Sequence, residues 1–371
     1  MSRPSNTDGS FILDQEDRIF IDRLRGLSII RVVLVHLGLS WFYPPYSQFV
    51  LVFLPILFFV SGAVSFPVFL RAHNWLHYAV KRLSSVMVPY YVIAATIALI
   101  LPFFLSSEYS MTVERAVRWL LISPTSEMIP FSLGQLWFLR ALLVISILSI
   151  PVYLIAERNA DYLLVPTAVS IILAYFQTYS DVQKYFYVDF FNLYQPIVNA
   201  GFFFLGSYLF IKKGLMGTKT LTLLLMGSIA AAFFSYMDGG LTINMANHSY
   251  APNLYYVGLS AAIIFIVLLA KPLIQKFLTY FRLIDYFVLL YSKHAYSVFI
   301  IHSILIYLSE ALFGWEDVMA RPGIAFAKIA FVMFGSLIIS FPVTAITRRV
   351  SKGLLNSIYE RRLKKPNVLD G

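Results

Sequence analysis

Ten runs of about 20 mostly apolar residues divide this chain, and they constrain its fold more than any other feature. They fall at about 24–42, 48–70, 84–105, 133–155, 162–179, 194–211, 220–237, 252–270, 294–313 and 324–346. About 20 helical residues, rising 1.5 Å each, cross the ~30 Å hydrocarbon layer of a bilayer. Backbone polar groups at that depth must bond to one another, so only helices and closed barrels span. The runs lack the period-two alternation of barrel strands, which leaves helices. Composition agrees. Only 13% of the residues are charged, about half the share in a soluble domain, and the mean hydropathy is +0.75. The expected fold is all-α: a polytopic integral membrane bundle of about ten transmembrane helices.

Charge orients the bundle. Cytoplasmic segments of membrane proteins collect Lys and Arg. With the N-terminus inside, 22 of the 29 Lys and Arg fall in inner segments and their rims. Five lie outside (Arg115, Arg118, Lys184, Arg321 and Lys328), while Arg31 and Arg140 fall within runs. An odd number of spans would place the basic tail "RRVSKGLLNSIYERRLKKPN" outside, so both termini are expected in the cytoplasm. The expected organisation is a cytoplasmic segment at 1–23, one transmembrane domain at 24–346 and a basic cytoplasmic tail at 347–371. That describes a multi-pass protein of the cell inner (plasma) membrane. The net charge of +10 is then a topology signal facing anionic lipid, and no nucleic-acid partner is expected. The polar first 18 residues lack the basic start of a signal peptide, so the first run is expected to be retained. With no cysteine, thiol nucleophiles and iron–sulfur sites are excluded. Residues 111–123 and 271–294 mix basic with apolar and aromatic residues, as helices in the headgroup plane do.

The first run, "IDRLRGLSIIRVVLVHLG" at 21–38, carries charges that cost several kcal/mol at membrane depth. Arg25 and His36 are eleven residues apart, three turns plus about 20°, so a helix puts them on one face about 16 Å apart. Asp22 lies one turn before Arg25 and can pair with it. Arg23 reads as a rim residue among the headgroups, and Arg31 lies about 140° round from His36. A neutral imidazole costs little in the membrane and can accept and return a proton. The bland alternative is a hydrogen-bonded packing histidine.

Four blocks in order resemble the acyltransferase 3 family of membrane O-acyltransferases. The first is the Asp22, Arg25 and His36 signature. The others are "LPILFFVSGA" (54–63), "GQLWFLRALL" (134–143) and "YSVFIIH" (296–302). The resemblance covers most of the chain and implies transfer of an acyl group, acetyl ahead of succinyl. The donor would be cytoplasmic acyl-coenzyme A, and the acceptor a hydroxyl of a cell-surface or exported polysaccharide or glycolipid. It implies catalytic roles for His36, Arg25 and Asp22, with the imidazole deprotonating the acceptor. Donor phosphates would meet Arg82, Lys81 and Arg25 through forked, charge-assisted hydrogen bonds. Acceptor contacts would come from Arg140, Trp137, His302 and Tyr296; for Arg140 a structural ion pair is the alternative, and for His302, deep in its run, orientation of substrate or of His36 stands beside plain packing. The sequence departs from the family at "KRLSSVMVP" (81–89), where Ser85 stands at the usual second arginine. No metal is implied; the donor acyl-CoA (acetyl-CoA or succinyl-CoA), the acceptor and the bilayer are the expected partners.

Other polar residues read differently. His73 and His77, four apart beside Trp75, fit an interfacial position better than a metal pair. His248 lies on an outer loop, where packing is the plainer reading. Nine outer carboxylates and the aromatic segments "WFYPPY" (41–46) and "YFYVDFFNLY" (185–194) suit carbohydrate, and suit a headgroup belt equally. The rival function is a transporter or flippase of a lipid-linked saccharide or small metabolite, which would also use intramembrane Arg and His. Against it, the two halves show no matching pattern of interrupted runs.

Overall fold

The computed structural model describes residues 13–38, 45–104, 112–122, 136–188, 191–212, 217–315 and 322–363. In chain order the helices are α1 (Gln15–His36), α2 (Pro55–Arg71), α3 (Trp75–Phe104), α4 (Val113–Leu120) and α5 (Leu136–Ala156). Next come α6 (Leu164–Tyr179), α7 (Tyr194–Ile211), α8 (Thr218–Asp238), α9 (Ala246–Ser249) and α10 (Leu254–Leu269). Then follow α11 (Lys271–Tyr280), α12 (Arg282–Lys293), α13 (Ala295–Phe313) and α14 (Pro322–Leu363). Two-residue strands, β1 (Tyr187–Val188) and β2 (Phe191–Asn192), pair antiparallel between α6 and α7. The helical membrane bundle expected from the apolar runs is what forms.

Each of the ten runs coincides with a helix. Among the described residues, seven helices are long and apolar enough to cross a membrane on their own, or eight if the bent pair α10–α11 counts as one span. Helices α1, which carries Asp17, Asp22, Arg23, Arg25 and Arg31, and α7, which carries Gln195 and Asn199, are less apolar than these. Gln195 and Asn199 are both buried, so protein rather than lipid meets them. Helix α11 turns 61° from α10. Pro272 in its first turn lacks the N–H needed to continue the preceding helix. The segment 271–294 thus divides into two amphipathic helices and conceals no further straight span.

Two helices run well past their apolar spans. Helix α1 begins at Gln15, nine residues before the apolar run, because the charges that end the run do not end the helix. Helix α14 extends through Leu363, so much of the basic tail is a continuous helix. Its 42 residues measure about 63 Å at 1.5 Å per residue, twice the hydrocarbon thickness.

The chain forms two compact units. The first holds residues 1–25, 51–72 and 151–286. Its centre is the α2–α7 contact, where glycines let two backbones meet: a side-chain carbon on Gly62 would overlap the Phe203 carbonyl, and one on Gly206 the Phe59 carbonyl. Small residues at such crossings maximise dispersion contacts, the main attraction between helices in lipid. Ser207 Oγ donates to the Gly62 carbonyl at 2.9 Å and meets the Tyr153 hydroxyl at 2.9 Å. Tyr153 is itself packed among Phe66, Phe69, Phe203 and Phe204.

The second unit holds residues 26–50, 73–150 and 287–371. Antiparallel α13 and α14 are tied near one end by Thr344 Oγ1, which lies 2.9 Å from His294 Nδ1 and 3.1 Å from Ser297 Oγ. Near the other end Lys328 Nζ donates to Glu310 Oε1 at 2.6 Å and to the Trp315 carbonyl at 2.9 Å. Helix α3 joins α5 through the Tyr78 and Ser149 hydroxyls, 2.9 Å apart. Tyr90 and Tyr91 of α3 donate to the last carbonyls of α4, at Trp119 and Leu120, both at 2.7 Å. Those carbonyls have no partner within the helix, so the tyrosines cap α4 from outside.

Candidate active site

His36 is the last residue of α1. Its neighbours Val35 and Leu37 are buried, while His36 itself is exposed. Across from it stands His302, at mid-length of α13 and fully buried. His36 Nδ1 and His302 Nε2 are 2.7 Å apart, although 266 residues separate them in sequence. The ring planes agree within 3° and the centroids are 5.0 Å apart. Face-stacked rings could not bring their nitrogens so close, so the imidazoles meet edge to edge in one plane, as a hydrogen bond requires.

Packing holds His302 in that plane. Its Nδ1 lies 3.2 Å from the Val298 carbonyl one turn earlier. Phe299 meets the ring at 62°, and Phe299 in turn packs on Phe138 of α5 at 5.1 Å between centroids. Among the described residues, His36 Nε2 has no hydrogen-bond partner. It is the one ring nitrogen of the pair left for a substrate.

Arg31, left without a role by its spacing, donates through Nη2 to the Val50 carbonyl. A guanidinium spent on a carbonyl satisfies part of its donor set without neutralising its charge. Arg25 and Asp22 pair within α1 at 2.8 Å, as their spacing predicts. Arg23 is not a headgroup residue. Its side chain is 9% exposed and grips Asp285 with two hydrogen bonds, Nε to Oδ1 at 2.8 Å and Nη2 to Oδ2 at 2.7 Å. Nearby, Lys271 pairs with buried Asp17 at 2.6 Å. Asp17, Lys271 and Asp285 were not singled out by sequence reasoning, because their partners lie more than 250 residues away.

The remaining predicted site residues occupy α3, α5 and α13. Arg82 is half-buried on α3, where its Nε donates to Ser146 Oγ of α5 at 3.3 Å. Lys81, one residue earlier, is exposed. Ser85 turns back to bond the Arg82 carbonyl at 2.7 Å. Trp137 and Arg140 sit in the first turns of α5, each half-buried, and Trp137 meets Phe138 edge-on at 6.2 Å. Tyr296, half-buried, opens α13. The structure thus joins His36 to His302, and Arg25 to Asp22.

Four of the nine outer carboxylates lie among the described residues, and each has a partner there; Asp181 accepts from the Gln177 amide at 3.5 Å. Glu114 pairs with Arg118, Asp238 accepts from the Tyr179 hydroxyl, and Glu310 pairs with Lys328. Glu108, Glu127, Asp189, Glu316, Asp317 and the aromatic segment 41–44 lie outside the described residues. His248 is buried. Its Nδ1 accepts from the Asn253 amide at 3.0 Å, and its Nε2 donates to the Thr242 carbonyl at 2.8 Å. Every ring nitrogen is used, and burial pushes its pKa below the usual histidine value.

No curated protein and no solved structure matches the chain. Residues 18–345 match the family model described as Acyltransferase domain, which takes in α1 through most of α14. The chain belongs to this acyltransferase family.

Proposed function

We propose that the protein is an O-acyltransferase of the inner membrane that moves an acyl group, acetyl ahead of succinyl, from cytoplasmic acyl-coenzyme A to a hydroxyl of a cell-surface or exported polysaccharide or glycolipid. The observation that carries this reading is the His36 imidazole, which is accessible, backed by a buried histidine and left with one unpartnered nitrogen. A base must reach the proton that it takes within ordinary hydrogen-bond distance, and only this nitrogen of the pair is open to an incoming hydroxyl.

His36 removes the acceptor hydroxyl proton while the oxygen attacks the thioester carbonyl. The tetrahedral adduct collapses, the carbon–sulfur bond breaks, and the departing thiolate takes the proton from the imidazolium. Coenzyme A leaves as the free thiol and the enzyme returns to its starting state. Arg82, Lys81 and Arg25 are the basic groups that we assign to the donor phosphates, with Asp22 holding Arg25 in place. Arg140, Trp137 and Tyr296 are assigned to the acceptor. The charge bias supports both termini in the cytoplasm, with residues 24–346 as the catalytic transmembrane domain.

The test is consumption of labelled acetyl-CoA by the purified protein with an envelope glycan fraction as acceptor. We expect thiol release by the wild type and none above background by a well-inserted His36→Ala protein. Equal thiol release by both would overturn the assignment of the base.

A further inference from the structure

Resting on His36 as the base, we propose that His302 is a positioning residue that fixes the tautomer of His36, placing the basic lone pair on Nε2. The assignment follows from the partners, taken in order. The Val298 carbonyl can only accept a hydrogen bond, and it lies 3.2 Å from His302 Nδ1, so that nitrogen carries a proton. A neutral imidazole has one N–H, so His302 Nε2 is an acceptor. That acceptor faces His36 Nδ1 at 2.7 Å, a distance at which one of the two nitrogens must donate. The donor is therefore His36 Nδ1–H. His36, neutral in its resting state, is left with an unprotonated Nε2 pointing away from its partner.

The neighbouring hydroxyl does not change the outcome. Ser303 Oγ is 3.4 Å from His302 Nε2, too long to compete with a contact of 2.7 Å for the same lone pair. Burial holds the arrangement in place: His302, Val298 and Phe299 are all 2% exposed or less, so no water can supply an alternative partner. When His36 takes the acceptor proton on Nε2, its Nδ1–H remains bonded to His302. That bond becomes charge-assisted and therefore stronger. His302 thus favours the charged form of the base without itself gaining or losing a proton. For metal-bound imidazoles, loss of the group that orients the second nitrogen costs about 10- to 100-fold, and we expect the same order here.

Two variants of the full-length protein and one spectrum test this. His302→Leu keeps apolar bulk and removes the acceptor; His302→Gln keeps an acceptor oxygen. We expect His302→Leu to lower kcat about 10- to 100-fold with the donor KM unchanged, as loss of an interaction used in the transition state requires. His302→Gln should recover most of that loss. The protein has six histidines, so a ¹⁵N-histidine-labelled sample is resolvable, with His36 assigned by its disappearance in His36→Ala. In the wild type at neutral pH, His36 should show protonated Nδ1 and unprotonated Nε2. Its Nε2–H tautomer in the wild type would overturn the proposal, and so would undiminished kcat in His302→Leu. Should His302→Leu fail to insert, the wild-type spectrum alone decides. An active His36→Ala protein would instead refute the base assignment, whatever tautomer the spectrum shows.

Discussion

Arg23 and Asp285 meet through two parallel hydrogen bonds of 2.8 and 2.7 Å across 262 residues of sequence, with side chains only 9% and 17% exposed. Such a fork fixes orientation as well as distance, because guanidinium and carboxylate match in plane. It fastens α12 to α1 within the first unit. Removing one partner strands the other charge away from water, which costs about 3–5 kcal/mol, whereas replacing both with apolar groups is often neutral. Asp285→Ala should therefore lower the unfolding temperature in detergent markedly, and Arg23→Met with Asp285→Leu should restore most of it. A double variant no more stable than Asp285→Ala would mean that the pair matters for something other than compensation of charge.

The glycine contacts predict opposite effects for the same chemical change. At Gly62 and Gly206 an added carbon meets backbone carbonyls of the facing helix, which cannot rotate aside. Gly62→Ala should separate α2 from α7 and sharply reduce the yield of folded protein. At Gly227, inside α8, nothing lies within 4 Å of the added carbon. There the helix preference of Ala over Gly, about 1 kcal/mol, is the main term, so Gly227→Ala should raise the unfolding temperature.

Arg82 supplies a half-buried cation braced by Ser146. If it binds donor phosphate in ground and transition states alike, its loss acts on KM and spares kcat. Arg82→Ala should raise the acetyl-CoA KM roughly tenfold, about one charge-assisted hydrogen bond's worth. Ser146→Ala, which frees the guanidinium from its brace, should have a smaller effect in the same direction. An unchanged donor KM in Arg82→Ala would remove α3 from the donor site.

His248 makes stability depend on pH. Burial lowers its folded pKa below the unfolded value of about 6.5. Above that pH both states are neutral and the buried imidazole contributes fully. As pH falls through 6.5 the unfolded chain takes up a proton that the folded chain resists, so stability declines until the folded pKa is passed. Protonation would also set an Nδ1–H against the Asn253 amide, which now donates to that nitrogen. The wild type should lose more thermal stability between pH 7.5 and pH 5 than His248→Gln does. An equal loss would show that other groups carry the acid sensitivity.

Hydropathy located the helices well, because a 20-residue apolar run has few other uses in a chain of this composition. It does not mark the first turns of α1, where Asp17, Asp22, Arg23 and Arg25 depress local hydropathy although each is paired in the fold. Spacing along one helix revealed the Asp22–Arg25 pair and no other, since Lys271 and Asp285 come from helices that local spacing cannot reach. His36 stood out as an ionisable group at membrane depth. Its bond to His302 was invisible for the same reason as the Arg23 pair: 266 residues intervene, and only packing brings them together.

Direction across the membrane is the most direct test of the account, which requires donor and acceptor on opposite faces with His36 between them. The chain has no cysteine, so a single cysteine at position 85 reports one face to a membrane-impermeant thiol reagent, and one at position 186 reports the other. In sealed vesicles of known orientation, labelled acetyl-CoA and a glycan fraction are supplied separately to each side. We expect label on the glycan only when acetyl-CoA is on the face of residue 85 and the glycan on the face of residue 186, with none transferred by His36→Ala. Transfer that requires both substrates on the same face, or that survives His36→Ala, would contradict it.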